Sequence, residues 1–329
     1  MPVTIPADQV VTADEAAVVA EFVEFLKDAS AARARKSGGP VRRFNQSRAS
    51  GCVEAQFTVL DGLPAAHRAG IFAAPRSYRA VIRFASATSS SDKERDTRGM
   101  AIGVMDVPGA NLTAGEMRQD FVLNSHPVMV APDARQFLAL LRANEAGGLR
   151  RILYFATHPK AARIGAASRQ HHTSHLDIPY WSTTPYAFAT GRRVKYMARP
   201  CSSPASRLPD SLTDDYLRVA LQRHLEQREA CFDFLVQFHQ DDTRTPIEDA
   251  SVEWKPADSP WHAVARITIP KQTLEGATGN AREQAIDAMA FNPWHALAEH
   301  RPLGGMNRAR QEIYRALSEF RIGRTPPAP

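Results

Sequence analysis

Short segments in which apolar and polar residues alternate recur along the chain and limit the folds that it can adopt. Each segment is bounded by clusters of glycine, proline, serine or aspartate, a pattern typical of antiparallel strands joined by turns. The segments span residues 55–60, 80–85, 100–105, 120–131, 186–189, 194–198, 231–238 and 263–269. So many short strands predict an antiparallel sheet that closes or curls on itself.

Helical periodicity flanks these strands. Residues 14–36 place their apolar side chains mainly on one helical face, and Gly-Gly-Pro at 38–40 ends that helix. The pattern predicts further helices over 133–144 with Asp133 as its cap, over 149–167 with a break at Pro159, over 212–226 and over 306–320. The order predicts an α+β fold around an antiparallel β-barrel. We expect residues 1–40 to form an N-terminal helix and linker, and residues 41–329 to form the core.

The composition is that of a soluble globular protein, with 43% hydrophobic and 23% charged residues. No run of about 20 apolar residues predicts a membrane span, and the N-terminus lacks a secretory signal, so we expect a cytoplasmic location. The formal charge of +6 is spread along the chain, so nucleic-acid binding is not expected. A homo-oligomer is compatible with the sequence, which does not fix the oligomeric state.

Cysteine and histidine usage argues against a protein metal cluster. Cys52, Cys201 and Cys231 are widely spaced and form no CxxC pair, which argues against a disulfide framework or a zinc site and fits a reducing compartment. Three histidines lie close together at positions 171, 172 and 175, with Asp177 as the nearest acid. We interpret them as an ordinary surface cluster.

Arg310 and Tyr314 are the first candidates for chemistry. They are four residues apart in the predicted C-terminal helix and therefore share a face. A guanidinium beside a phenol favours the phenolate, because the opposite charge stabilises the ionised form. The pair can therefore supply an anionic oxygen ligand for a metal such as ferric iron.

The surroundings of this pair resemble the proximal heme segment of the catalase superfamily, where an F-x-P stretch precedes a helix carrying R-x-x-x-Y. Residues 291–293 read Phe-Asn-Pro here. The resemblance implies that Tyr314 binds the iron of heme b and that Arg310 assists it. It also implies that Arg321, two turns beyond Tyr314, lies close to the heme on the same side. Because Tyr314 lies near position 329, the resemblance is to a minimal catalase-like heme-binding core.

Three motifs in the first half of the chain, in the same order as in catalases, extend the resemblance. Residues 81–85 (VIRFA) resemble the family's V-R-F-S strand, and residues 92–101 (DKERDTRGMA) resemble its D-x-x-R-D-x-R-G-F-A. Residues 120–128 (DFVLNSHPV) resemble its D-L-V-x-N-x-x-P-V/I. Residues 180–186 and 194–196 resemble the small catalase-related peroxidases more than catalase itself.

These motifs imply roles for four residues. Asn124 matches a distal catalytic asparagine of the family, and Phe137 falls where the family has a phenylalanine in the heme pocket. Arg43 and Arg83 match two arginines that pair with the heme propionates. The resemblance therefore runs from about Arg43 to Arg321.

One position departs from the family pattern. Gln46 stands where the family has its essential distal histidine, and Ala85 stands where a serine hydrogen-bonds that histidine. Ser47 is the alternative occupant, and His126 is a candidate substitute base. A histidine contributes on the order of 100- to 10,000-fold as an acid and base, whereas glutamine does not titrate. Gln46, with Asn45 beside it, would orient a peroxide without moving its proton.

The resemblance implies a heme-dependent peroxidase-type oxidoreductase that acts on a peroxide or a small organic hydroperoxide, and Gln46 in place of the histidine predicts weak or no dismutation of hydrogen peroxide. Two alternatives stay open. One is a hydroperoxide isomerase or dehydratase similar to the catalase-related allene oxide synthases, although those keep a distal histidine. The other is a heme-binding protein without turnover.

Overall fold

Nine strands form one antiparallel sheet in the computed structural model, which describes residues 11–202 and 206–323. Their order across the sheet is β5-β4-β3-β2-β1-β9-β8-β7, and pairing of β5 with β7 closes these eight into a barrel, while β6 extends the sheet beside β7. The strands are β1 Arg48–Val59, β2 Ser77–Ser86, β3 Arg98–Val104, β4 Gln119–Asn124, β5 Tyr180–Trp181, β6 Tyr186–Ala187, β7 Arg193–Pro200, β8 Ala230–Phe238 and β9 Trp261–Ile269. The predicted antiparallel barrel is confirmed.

Aromatic side chains fill the interior of the barrel. The rings of Phe121 and Phe234 lie 4.6 Å apart between centroids, and Phe57 stacks on Phe121 at 5.9 Å. Tyr196 and Phe72 are also fully buried in this cluster. An eight-stranded barrel is just wide enough for side chains to fill, so the interior is a packed core and a ligand must bind outside it.

Seven helices surround the barrel in the described part of the chain: α1 Glu15–Ser37, α2 Ala134–Ala146, α3 Gly148–Thr157, α4 Pro159–Ser168, α5 Tyr216–Gln227, α6 Gly276–Ala288 and α7 Gly305–Ile322. The cap of α2 is as predicted, because the Asp133 side chain accepts a hydrogen bond from the Gln136 backbone N–H at 2.8 Å. Pro159 separates α3 from α4, also as predicted. None of the described helices is long and apolar enough to cross a membrane.

The sequence pattern missed α6 and overestimated two strands. Glycine, threonine and asparagine in the first turns of α6 are poor helix formers, and few apolar residues mark a buried face. The strand predicted over 120–131 ends at Asn124, and the one over 186–189 has two residues. Packing against the rest of the protein, and not local sequence alone, therefore determines the presence of α6 and the lengths of these two strands.

Helices α1, α2 and α7 pack together outside the barrel. Phe22 of α1, Leu138 of α2 and Ile313 of α7 belong to one buried apolar cluster. Arg308 of α7 ties this layer together, because its Nε donates to Glu15 Oε1 at 2.8 Å and its Nη1 donates to Glu248 at 3.1 Å. The division at residue 40 stays a prediction.

Cys201 and Cys231 form a disulfide, so the prediction against disulfides is wrong for this pair. Register explains the pairing: β7 and β8 are antiparallel neighbours with Pro200 opposite Phe232, so the two cysteines come opposite one another. The Cys201 backbone N–H also donates to the Cys231 carbonyl at 3.1 Å. Spacing along the sequence does not show which strands pair. The buried Cys52 is free.

We expect Cys201→Ala to lower the free energy of unfolding by about 3–4 kcal/mol, the loop-closure value for a separation of 30 residues. Denaturant unfolding under oxidising conditions measures the loss. Cys52→Ala is the control that removes a thiol but no cross-link, and under reducing conditions the effect of Cys201→Ala should largely disappear. Alkylation of all three cysteines in the unreduced protein would contradict the disulfide.

Candidate functional site

A large cavity lies between the outer face of the barrel and helices α1, α2 and α7. Its volume is about 1150 Å³. All the residues predicted for the site line it: Arg43, Asn45, Gln46, Arg83, Asn124, Phe137, Arg310, Tyr314 and Arg321. The fold therefore brings these residues to one place, and their chemical roles stay predictions.

Alternate residues of β2, β3 and β4 point outward from the barrel into this cavity. Arg83 pairs with Ala101 across β2 and β3, and Ala101 pairs with Val122 across β3 and β4. All three line the cavity, whereas their sequence neighbours belong to the barrel core. Asn124 follows Val122 by two residues and therefore points the same way.

Gln46 precedes β1 and is held on both its backbone and its side chain. Its N–H donates to the Ala87 carbonyl at 2.8 Å, and its carbonyl accepts from Arg83 Nη2 at 2.9 Å. Its side-chain Nε2 donates to Asn124 Oδ1 at 2.9 Å. Ser47 does not line the cavity, so Gln46 is the residue of the two that faces it.

The position of Gln46 depends on a glycine. Gln46 has φ of 54°, in the left-handed region that few non-glycine residues adopt. A Cβ atom on Gly99 of β3 would overlap the Gln46 amide. The absence of a side chain at 99 is therefore what lets the amide lie against the strand and reach Asn124.

Three arginines gather at one edge of the cavity around Asp287, at the end of α6. Asp287 Oδ1 accepts from Arg43 Nη1 at 2.9 Å and from Arg83 Nε at 2.7 Å. Arg321 of α7 donates to the Ala288 carbonyl at 3.3 Å. Burial favours the neutral acid, but the charges of Arg83 and Arg43 outweigh it and hold the pKa of Asp287 below its ordinary value. Burial, with repulsion from Arg83, lowers the pKa of Arg43 to about 10.

Helix α7 supplies Tyr314 and Arg310 from the other side. Tyr314 is partly buried against the apolar cluster of α1, α2 and α7. The buried Arg310 donates from Nη1 to Thr184 Oγ1 at 3.0 Å and to Asn307 Oδ1 at 3.3 Å. Burial raises the pKa of the nearby Tyr186 to about 12, against the charge of Arg310, so this second phenol stays protonated at neutral pH. Tyr314 is the phenol that faces the cavity.

Phe137 and His126 complete the lining. The Phe137 ring meets Phe22 of α1 edge-on at 5.9 Å between centroids, which joins α2 to α1 at the cavity wall. His126 lies beyond the end of β4 and is half-buried, and burial lowers its pKa. Its imidazole is therefore mainly neutral at pH 7 and available as a proton acceptor.

The histidines at 171, 172 and 175 do not form the predicted surface cluster. His175 is fully buried, stacks on Phe84 at 5.0 Å and lies 3.0 Å from the Tyr180 hydroxyl. Burial holds its pKa well below the ordinary value. No group of three or more histidine, cysteine or acidic side chains in the described residues is arranged to hold a metal ion.

Two features of the site escaped the sequence analysis. Asp287 is one. The other is a buried pair in which Asp120 Oδ2 lies 2.8 Å from the Nδ1 of His295, a residue that lines the cavity. Arg118 Nη2 lies 2.8 Å from the same ring nitrogen. The partners are up to 177 residues apart, so only the fold shows them.

No protein-family model matches the chain, and no curated protein does. Solved structures do match. A fungal catalase superposes with a TM-score of 0.69 at 14% identity over 89% of this chain, and catalase A from Saccharomyces cerevisiae with 0.68 at 15% over 89%. A bacterial catalase gives 0.68 at 14% over 98%. The chain has the catalase fold. It spans 61–63% of the length of these catalases, and at such identities the likeness concerns the fold alone.

We expect Gly99→Ala to lower the free energy of unfolding by about 1 kcal/mol, the usual net contribution of one hydrogen bond, because the new methyl displaces the Gln46 amide from Asn124. In a Gln46→Ala background the cost should be smaller, with a coupling of roughly 1 kcal/mol. Denaturant unfolding of the four proteins measures this cycle. Gly103→Ala on the same strand is the control. If Gly99→Ala cost the same with Gln46 as with Ala at position 46, the Gln46 amide would not lie against Gly99.

Proposed function

We propose that the chain is a heme-dependent peroxidase-type oxidoreductase that uses a peroxide or a small organic hydroperoxide and dismutates hydrogen peroxide weakly or not at all. One observation carries the proposal. A cavity in a catalase fold presents a tyrosine phenol from the helix side and a bonded pair of carboxamides, Gln46 and Asn124, from the barrel side.

The residues present fit heme b. The volume of about 1150 Å³ exceeds that of ordinary small-ligand sites, which is about 300–1,000 Å³. The arginine cluster already donates to a carboxylate, that of Asp287, so its N–H groups suit propionates as well. Tyr314 offers the oxygen ligand, and Phe137, Val128 and Met306 offer apolar surface. Arg43, Arg83 and Arg321 would hold the propionates.

When bound, the heme supplies redox chemistry that no side chain here provides. The chain binds and orients the hydroperoxide. After the Gln46–Asn124 hydrogen bond, Gln46 keeps one N–H and its oxygen, and Asn124 keeps two N–H groups. These groups fix both oxygens of a hydroperoxide but take up no proton. His126, which belongs to the same lining, is a candidate to accept one at Nδ1 or Nε2.

A hydroperoxide isomerase or dehydratase is the second candidate. The same pair of amides favours it, since rearrangement of a hydroperoxide needs no external reductant and less proton transfer than dismutation. Consumption of an organic hydroperoxide without an electron donor would select this activity, whereas consumption that requires guaiacol selects the peroxidase. No turnover of any peroxide by heme-loaded protein would leave a heme-binding protein.

We expect Tyr314→Phe to lose most of the bound heme or to shift its Soret band, because phenylalanine offers no oxygen ligand. Absorbance of the purified, heme-reconstituted protein measures both. Tyr186→Phe is the control, since that phenol belongs to the barrel core. Full heme retention by Tyr314→Phe with an unchanged spectrum would refute the proximal assignment.

We expect Gln46→His to raise oxygen evolution from hydrogen peroxide at least roughly tenfold, below the full contribution of a general base, because Ala85 cannot orient the new ring. Gln46→Asn keeps an amide that does not titrate and should stay as slow as the wild type. The wild type itself should release little oxygen while it oxidises guaiacol with an organic hydroperoxide. Rapid oxygen release by the wild type would mean that another group, such as His126, supplies the base.

A further inference from the structure

Asp287 is the acid on which the arginine cluster converges. Its Oδ1 alone bridges Arg43, from the segment before β1, and Arg83, from β2. Its backbone carbonyl accepts a further hydrogen bond from Arg43 Nη2 at 2.7 Å, and the Met289 carbonyl accepts from the same nitrogen at 2.7 Å. Asp287 does not itself line the cavity, but its charge is in direct contact with two arginines that do.

The formal charge of this group is informative. Arg43 and Arg83, which both donate to Asp287, contribute two positive charges, and Asp287 contributes one negative charge, so it already offsets half of their charge. Glu283, one turn earlier on α6, is engaged elsewhere, because it pairs with Arg218 at 2.7 Å. The two propionates of heme b would bring two further negative charges to arginines that Asp287 already partly neutralises.

We propose that the charge of Asp287 opposes the binding of the cofactor's carboxylates: Asp287 stabilises the arginine cluster before loading and lowers the affinity of the site for a dicarboxylate porphyrin. This inference rests on the proposed function, which supplies the porphyrin. Each guanidinium has five N–H donors, and Asp287 Oδ1 takes one from each of two arginines. Binding therefore leaves Asp287 in place, with its negative charge beside the incoming carboxylates.

Burial of the arginine cluster strengthens the repulsion between Asp287 and the carboxylates of the cofactor. The Arg83 side chain is 2% exposed, so the cluster has a low-dielectric side where charge interactions are strong. The Asp287 side chain is 44% exposed, so solvent screens part of its charge. Replacing the carboxylate by an amide of the same shape keeps the Oδ1 acceptor that bridges the two arginines, removes the charge and replaces Oδ2 by an NH2 group.

The test compares two porphyrins and three variants of the full chain, prepared without heme. The porphyrins are hemin and hemin dimethyl ester, which share the iron and the ring but differ in the carboxylates. We expect Asp287→Asn to bind hemin about tenfold more tightly than the wild type, a ratio equivalent to about 1.4 kcal/mol. It should bind the ester as the wild type does. Soret titration gives both dissociation constants.

Two further variants control for charge and fold. Glu283→Gln removes one negative charge from the same helix outside the cluster and should leave hemin affinity unchanged. Asp287→Glu keeps the charge and should bind hemin close to the wild type. The heme-free Asp287→Asn protein should also melt at a lower temperature than the wild type, since its arginines lose their counter-ion, and added hemin should restore more of its stability than that of the wild type.

Weaker hemin binding by Asp287→Asn would overturn the proposal, because it would make Asp287 a positioning residue. Equal tightening for hemin and its ester would also overturn it, because the effect would not concern carboxylates. The failure of the proposed function can be distinguished from this result. An unchanged Tyr314→Phe spectrum, or no turnover of any peroxide, would contradict the proposed function, but the comparison of hemin with its ester would still test the role of Asp287. A wild-type chain that binds neither porphyrin would overturn both.

Discussion

The alternation of side chains along β2, β3 and β4 is the constraint on which both the core and the site depend. On one face, Phe84 and Phe121 enter the packed barrel; on the other, Arg83, Val122 and Asn124 face the cavity. A shift of one residue in register would exchange the two sets and bury the arginine in an aromatic core. The same pairing that stabilises the barrel therefore also determines which polar groups a ligand meets.

Charge links the barrel to its outer helices at the same place. Arg83 belongs to β2, Asp287 to α6 and Arg321 to α7, so the arginine cluster joins an early strand of the barrel to the last two helices of the described chain. Gly279 lets the segment before α6 pack against the first turns of that helix, because a Cβ there would overlap the Leu274 backbone. The polar edge of the cavity thus helps to position the helix that carries Tyr314.

Much of the fold was predictable from local patterns. Alternation identified most strands, Asp133 and Pro159 marked helix boundaries, and α7 showed a clear apolar face. What local patterns lack is pairing: the closure of β5 on β7, the disulfide between Cys201 and Cys231, and helix α6 depend on partners distant in sequence. The same distinction between local patterns and distant contacts applies to the site. Motif resemblance placed Arg43 through Arg321 in one cavity, whereas Asp287 and His295 carry no local signal and emerge only from contacts.

The pair formed by Gln46 and Asn124 gives the barrel side of the cavity a particular chemistry. Gln46 is fixed at φ of 54° by Arg83 and Ala87, so its amide is pre-positioned before any ligand binds. Three N–H donors and one oxygen acceptor remain between the two amides. The two amides donate hydrogen bonds to the lone pairs of a bound oxygen but take up no proton themselves, so proton uptake falls to another group of the lining such as His126. Under the proposed function, selection among peroxides would depend on which substrate can react before it loses that proton.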